Sequence, residues 1–400
     1  MRRLLPILLL TTLCSLAVAR ADTVAVLPFF NDASPAGMDW ISESIAQTIH
    51  ESLAAQGFLM LEREDRQEAY RRLSIRPKAH LTHASVIKVA EALDADNVVY
   101  GVFEFTPPAE GAPPEARGSL HLTAWTVNMK RMRRGPEFLE SGPLDELAAL
   151  QTHLAWQVLN YLAPDTTPPA DEFLKQHPQV RLDAMENYTR GLLAVSPEQK
   201  HRYFTQAARL DERLWEASFE LGRLYWKQKE YRLAAQWFTK LTPLAARYQE
   251  ASFLLGLCRY YTGNFAAAQE AFARVSQAVP LNEVFNNLGA AQSRLNLPEA
   301  SESFRKALEG DPGDPDYHFN LGLSLWKSGQ FAAAAESLRA TLDRNPEDAQ
   351  AMLLLGRCLK QTAASPADLK AGLERMKLNY EEGPWRQLKA ALQAGKSKPE

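Results

Sequence analysis

The stretch Phe319-Asn-Leu-Gly-Leu-Ser-Leu-Trp326 recurs, altered but in phase, along the second half of the chain. Its Leu321-Gly322 pair is preceded by Leu221-Gly222, Leu255-Gly256 and Leu288-Gly289, and followed by Leu355-Gly356. Successive glycines lie 34, 33, 33 and 34 residues apart. A period of that length reads as helix–turn–helix units stacked into a solenoid, because one such unit cannot bury its own apolar face. The second helix of each unit pairs a small residue with a large one four positions on: Ala234/Phe238, Ala268/Phe272, Ala300/Phe304 and Ala334/Leu338. Glycine lets the two helices of a hairpin approach closely, and the aromatic fills the space left over. Pro280, Pro312 and Pro346 end three units. An earlier unit around Gly191, Phe204 and Ala207 departs from the pattern and is expected to cap the array.

These residues resemble the tetratricopeptide repeat family over residues 182–361. The resemblance implies an all-α superhelix whose first helices line a concave, partner-binding surface. Count each repeat from seven residues before its glycine. Positions 5 and 12 are then seven apart on the first helix and share a face. Aromatics fill both in three repeats: Phe219 with Trp226, Phe253 with Tyr260, and Phe319 with Trp326. Asn287 and Asn320 hold position 6 in consecutive repeats, where an amide side chain can pair with a peptide backbone. These eight residues are the candidate partner-binding set. The aromatics either anchor a ligand or pack between neighbouring repeats, and the sequence leaves both readings open. The groove reading expects Trp226, Asn287, Asn320 and Trp326 to be solvent-accessible in the free protein. Phe253, Leu257 and Asp316 stand where a carboxylate clamp would want Lys or Asn, which argues against recognition of a C-terminal carboxylate.

Upstream, residues 22–163 read as an α/β domain with a mixed sheet in the order β-α-β-α-β-β-β-α, making the chain an α+β multidomain protein. Thr23–Phe29, Phe58–Leu61, Asn97–Phe105 and Ser119–Met129 are strand-like, and Glu137–Glu140 is a candidate partner for the last. Ile41, Ile45, Ile49 and Leu53 mark one amphipathic helix, and Leu147, Leu150, Leu154, Val158 and Tyr161 a closing one. The opening Val24-Ala-Val-Leu-Pro-Phe-Phe-Asn31, followed by Ala92-Leu-Asp-Ala-Asp-Asn-Val-Val-Tyr-Gly-Val102, resembles the TolB N-terminal-like domain. That resemblance implies an envelope or signalling protein that binds partners. Residues 164–181 read as a Pro-rich linker between independently folding domains, and 362–400 as C-terminal helices and a tail, with helix expected over Leu369–Leu392 broken at Gly383-Pro384.

The N-terminus has the three parts of a secretory signal peptide over residues 1–21: Arg2 and Arg3, an apolar core from Leu4 to Ala19, and a small-residue cleavage site at Ala19 or Ala21. The expected location is therefore periplasmic or secreted, with no membrane span after cleavage. The 400 residues are 46% hydrophobic and 23% charged with a formal net charge of −3, which excludes a strongly basic nucleic-acid binder and wholesale disorder. Cysteines number 3, and Cys258 and Cys358 occupy equivalent positions three repeats apart, too far to form a disulfide. No P-loop, nucleophile elbow, HExxH or CxxC motif is present. Catalytic residues, a cofactor and a metal are not expected. The pattern points to a non-catalytic periplasmic scaffold that binds a protein or peptide partner through the repeat groove. The alternative is a regulatory subunit that activates a cell-wall enzyme through its α/β domain.

Overall fold

The computed structural model describes residues 22–32, 35–76, 78–111, 117–177 and 179–379. The signal-peptide assignment lies outside the described residues, as does the part of the C-terminal tail beyond residue 379.

The first region runs β1 (Thr23–Val26), β2 (Phe30–Asn31), α1 (Trp40–Ala55), β3 (Leu59–Met60), α2 (Arg63–Arg72), α3 (His83–Ala92), β4 (Asn97–Thr106), β5 (Ser119–Asn128), β6 (Arg133–Pro143) and α4 (Leu147–Leu162). The sheet order is β3-β1-β4-β5-β6, with β2 adding to β4 beyond the end of β1. Strand β1 lies parallel to β3 and β4, whereas β4, β5 and β6 are antiparallel. This is the mixed sheet expected from the order of elements. Side chains alternate along β1 as a pleated strand requires. Val24 and Val26 join Ile41, Ile45 and Ile49 of α1 and Leu154 of α4 in one core. Ala25 and Leu27 meet Val86, Val89 and Ala90 of α3 on the opposite face.

Helix α2 escaped the sequence reading because seven of its ten residues are charged. Local hydrogen bonds start it: Glu62 and Asp65 form a reciprocal capping box. Arg66 then ties it inward, donating to the Val26 carbonyl and to Glu43.

The proposed linker is a packed part of the first core. It contains α5 (Ala170–Gln176), whose Phe173 is fully buried, and Trp156 donates to the Pro168 carbonyl at 2.9 Å. Met185, from the first repeat helix, enters the same core. Arg63 donates to the Leu192 carbonyl and Arg190 to the Gly37 carbonyl. Proline content marked a spacer; one aromatic and the hydrogen bonds across the joint make it an interface. A cut at 163–175 would strip Phe173 and Met185 from the core.

The solenoid stacks α6 (Leu182–Leu193) on α7 (Pro197–Leu210), α8 (Trp215–Lys227) on α9 (Tyr231–Phe238), α10 (Tyr248–Tyr261) on α11 (Phe265–Ala278), α12 (Asn282–Arg294) on α13 (Ala300–Gly310), and α14 (Pro315–Lys327) on α15 (Phe331–Arg344), ending with α16 (Ala349–Leu359). Gly222, Gly256, Gly289 and Gly322 are close-approach positions, whereas Gly356 in the last helix has open space beside it. A Cβ on Gly222 would stand 2.5 Å from the Phe238 ring, and one on Gly256 2.7 Å from that of Phe272. Gly191 meets Phe204 in the same way, so the irregular first unit is a genuine hairpin.

After α16 comes the short α17 (Pro366–Lys370) and then a non-helical segment, 371–379. The helix expected over Leu369–Leu392 is therefore not formed over 371–379, and the rest of that span, with its break at Gly383-Pro384, lies outside the described residues. The groove supplies hydrogen-bond partners to this backbone that a helix would otherwise provide internally.

Candidate functional site

The first helices of three consecutive repeats, α10, α12 and α14, hold the chain's own segment 371–379 along the face taken as the groove. Asn320 donates to the Arg375 carbonyl and accepts from the Arg375 N–H, both at 2.8 Å. Asn287 makes the same pair of bonds with Lys377, at 2.8 and 2.9 Å. Asn286 adds a third asparagine, donating to the Arg375 carbonyl at 2.8 Å and accepting from Asn320 at 2.8 Å. Residues 375 and 377 both turn N–H and C=O toward the asparagines, which is the geometry of an extended chain read along one edge.

Side chains of this strap are sorted by charge. The Glu374 carboxylate is fully enclosed, accepting from Lys327 at 2.7 Å, Ser293 at 2.8 Å and Tyr260 at 3.2 Å. Arg375 and Lys377 point instead to the acidic starts of α14 and α16. Arg375 pairs with Asp316 at 3.3 Å and Asp348 at 2.7 Å, and Lys377 with Asp314 at 2.7 Å and Asp316 at 2.8 Å. Burial lowers the Lys377 ammonium, but Asp314 and Asp316 outweigh it and hold its pKa above the ordinary value. The Arg375 guanidinium also lies 3.7 Å over the Phe319 ring. At Gly372 the strap presses on Arg294, where a Cβ would collide with the guanidinium.

The eight candidate residues divide. Asn287, Asn320 and Tyr260 touch the strap, and Phe319 lies beneath Arg375. Phe219 and Phe253 pack inside their hairpins, against Phe238 at 5.9 Å and Phe272 at 5.8 Å. Trp226 sits between Tyr231 and Tyr261, away from the strap. Trp326 is buried, with Nε1 donating to the Thr362 carbonyl at 2.8 Å in the loop beyond α16. The expected exposure of Asn287, Asn320 and Trp326 is therefore corrected: all three are buried, because the strap and that loop cover them. Sequence reasoning missed Asn286, Ser293, Lys327, Asp314, Asp348 and the strap itself. Asn286 was visible in principle, since it replaces the aromatic of position 5.

A second concavity, of about 1060 Å³, opens past the end of β1 between the first region and the α6–α7 hairpin. Its charges are largely paired: Arg63 and Arg66 meet Glu43, and Lys78 meets Asp39. Among the described residues no cluster of three or more His, Cys, Asp or Glu side chains could hold a metal ion, and no helix is long and apolar enough to cross a membrane. Burial pushes the Cys258 thiol up to about 12, and both Cys258 and Cys358 are free.

The tetratricopeptide repeat family profile matches residues 201–249, 253–315 and 319–367. The solenoid is built of tetratricopeptide repeats. Among curated relatives, the cytochrome c-type biogenesis protein CycH of Rhizobium meliloti is 30% identical over 128 residues, covering 32% of this chain and 29% of that protein. Protein FlbA of Caulobacter vibrioides is 30% identical over 133 residues, covering 33% of this chain and 22% of its own length. The chain thus spans less than a third of either relative. Among solved structures, YrrB, described as a TPR protein with an unusual peptide-binding site, is 21% identical with a TM-score of 0.40, covering 46% of this chain and 94% of YrrB. MamA from residue 41 to its end, of Desulfovibrio magneticus RS-1, is 23% identical with a TM-score of 0.37, covering 42% of this chain and 95% of that one.

Proposed function

We propose that this protein is a non-catalytic adaptor of the cell envelope, exported by its N-terminal signal, whose repeat groove grips an extended peptide of a partner protein. The observation that carries the reading is the pair of asparagines, Asn287 and Asn320, each bonding both the N–H and the C=O of one residue of an extended chain. Such bonds read the backbone, which every peptide presents, while the acidic and basic pockets beside them select side chains. The TolB-like α/β region supplies a second docking surface in the envelope, fixed to the solenoid through the core shared by Phe173 and Met185.

Selection of random displayed peptides on the full chain tests the groove. Peptides recovered by the wild type should lose binding to an Asn287→Ala/Asn320→Ala variant with an unchanged circular dichroism spectrum. Retained binding would place the interaction site elsewhere. Mass spectrometry of the envelope fraction tests export: the mature protein should begin after Ala19 or Ala21, and an intact Met1 would contradict it.

A further inference from the structure

The strap differs from the rest of the fold in how it is held. Of its apolar side chains Leu373 and Met376 pack on the repeat core, both partly exposed, and Arg375 adds its guanidinium over the Phe319 ring. Most of its attachment is polar: the asparagine pairs, the Glu374 pocket and the ion pairs of Arg375 and Lys377. Polar bonds of this kind are exchangeable, since a competitor making the same set gives the groove the same partners. An apolar core element has no such substitute.

The tether is correspondingly light. Helix α17 buries none of its residues. It is held by its own capping box between Ser365 and Asp368 and by one ion pair from Arg357 to Asp368 at 2.7 Å. The preceding Thr362 carbonyl, bonded to Trp326, anchors the chain before the strap begins. Residues 371–379 can leave the groove without dismantling a repeat. Vacating it uncovers Asn286, Asn287, Asn320 and Lys327, side chains that now face almost no solvent and whose bonds to the strap must be replaced.

We propose that residues 371–379 are a built-in pseudo-ligand, and that the groove's partner is an extended peptide of the same chemistry, which displaces it. That peptide carries an acidic residue, a basic residue immediately after it, and a second basic residue two positions further on, as in Glu374-Arg-Met-Lys377. This rests on the groove reading above and adds to it the ligand's charge pattern and its regulation. A short tether holds the strap at an effective concentration on the order of millimolar, so the closed chain answers only to a partner that is tight or locally abundant. The acidic side of the groove, Asp314, Asp316 and Asp348, rejects a peptide with the charges reversed.

The test uses the full chain and a fluorescent synthetic peptide with the sequence of residues 371–379. Binding is measured by anisotropy to the wild type and to a strap variant, Glu374→Lys/Arg375→Glu/Lys377→Glu, whose groove residues are unaltered. The variant should bind the peptide at least tenfold more tightly than the wild type, and a charge-reversed peptide should bind it at least tenfold more weakly. Equal affinity of wild type and variant overturns displacement while leaving the groove as a peptide site. Equal affinity for both peptides overturns the charge pattern. No binding to a variant that keeps the wild-type circular dichroism spectrum overturns the groove reading itself. Hydrogen exchange on the wild type is an independent readout that needs no substitution: saturating peptide should accelerate exchange at the Arg375 and Lys377 amides. Unchanged protection there, with peptide bound, would show that the strap is a fixed structural element. A mass that doubles with concentration and is abolished in the strap variant would place the strap in a second copy and overturn the intramolecular account.

Discussion

Helices α10 and α12 occupy equivalent places in neighbouring repeats, yet one turns its fifth position into the core and the other into the groove. Phe253 of α10 is fully buried against Phe272 of its own hairpin. Asn286 of α12 is just as buried, but its amide spans Asn320 and the strap carbonyl of Arg375. The backbone is the same; the side chain's need for a polar partner decides which way the position works. The Phe253 ring is satisfied by its own hairpin, whereas the Asn286 amide stays buried only while something polar fills the groove.

The contrast is broken most directly at Phe253. Phe253→Ala should destabilise the protein by about 3–5 kcal/mol, the usual cost of a cavity left by a buried ring, seen in chemical denaturation. A loss below about 1 kcal/mol would mean that α10 presents this position to the groove after all.

Asn320→Ala sharpens the other side. It removes both bonds to Arg375 and the bond to Asn286, and should cost about 1–3 kcal/mol. The loss should be reported at the strap, by faster exchange of the Arg375 amide, before the repeats melt. Uniform loss across all repeats would make Asn320 a core residue like Phe253.

A further comparison sets the groove against the joint between the two regions. There burial, reinforced by Glu216, pushes the Glu51 carboxyl up to about 8, while Gln47 and Tyr188 donate to it. The unfolded carboxyl titrates near 4.5, so between these values the folded chain holds a proton that the unfolded chain lacks. The contribution of this group is complete below about pH 4.5 and is lost as pH rises through 8. The melting temperature should therefore decline between pH 5 and pH 8.5, and Glu51→Gln should flatten that decline. An identical slope in the variant would remove Glu51 as its source.

The smallest effect concerns the cysteines. Cys258, fully buried with its thiol pushed up to about 12, should react with a thiol reagent only on unfolding. In denatured, unreduced protein Cys258 and Cys358 should both titrate as free thiols, because their separation across three repeats forbids pairing with each other within a chain. A count of zero would require a bridge between chains.

The repeat architecture was legible because it is written in local periodicity. Leu-Gly pairs at 33–34 residues, with a large residue facing each glycine but the last, Gly356, specify hairpins that must stack, whatever lies elsewhere. The strands of the sheet were legible for the same reason, through alternation over a few residues. Helix α2 was not, since charged residues carry no apolar period and its start depends on the Glu62–Asp65 capping box and on Arg66 reaching Glu43. Phe173 read as one aromatic in a Pro-rich spacer, and only the cavity between α1, α4 and α6 makes it core. The strap shows the limit most plainly. By local propensity Leu369 onward is helical, and the sequence by itself determined both this bias and the asparagines at 286, 287 and 320. Only the tertiary structure brings the two together. Hydrogen bonds between residues some 55 to 90 positions apart replace the bonds a helix would have made, and no pattern within either segment encodes them.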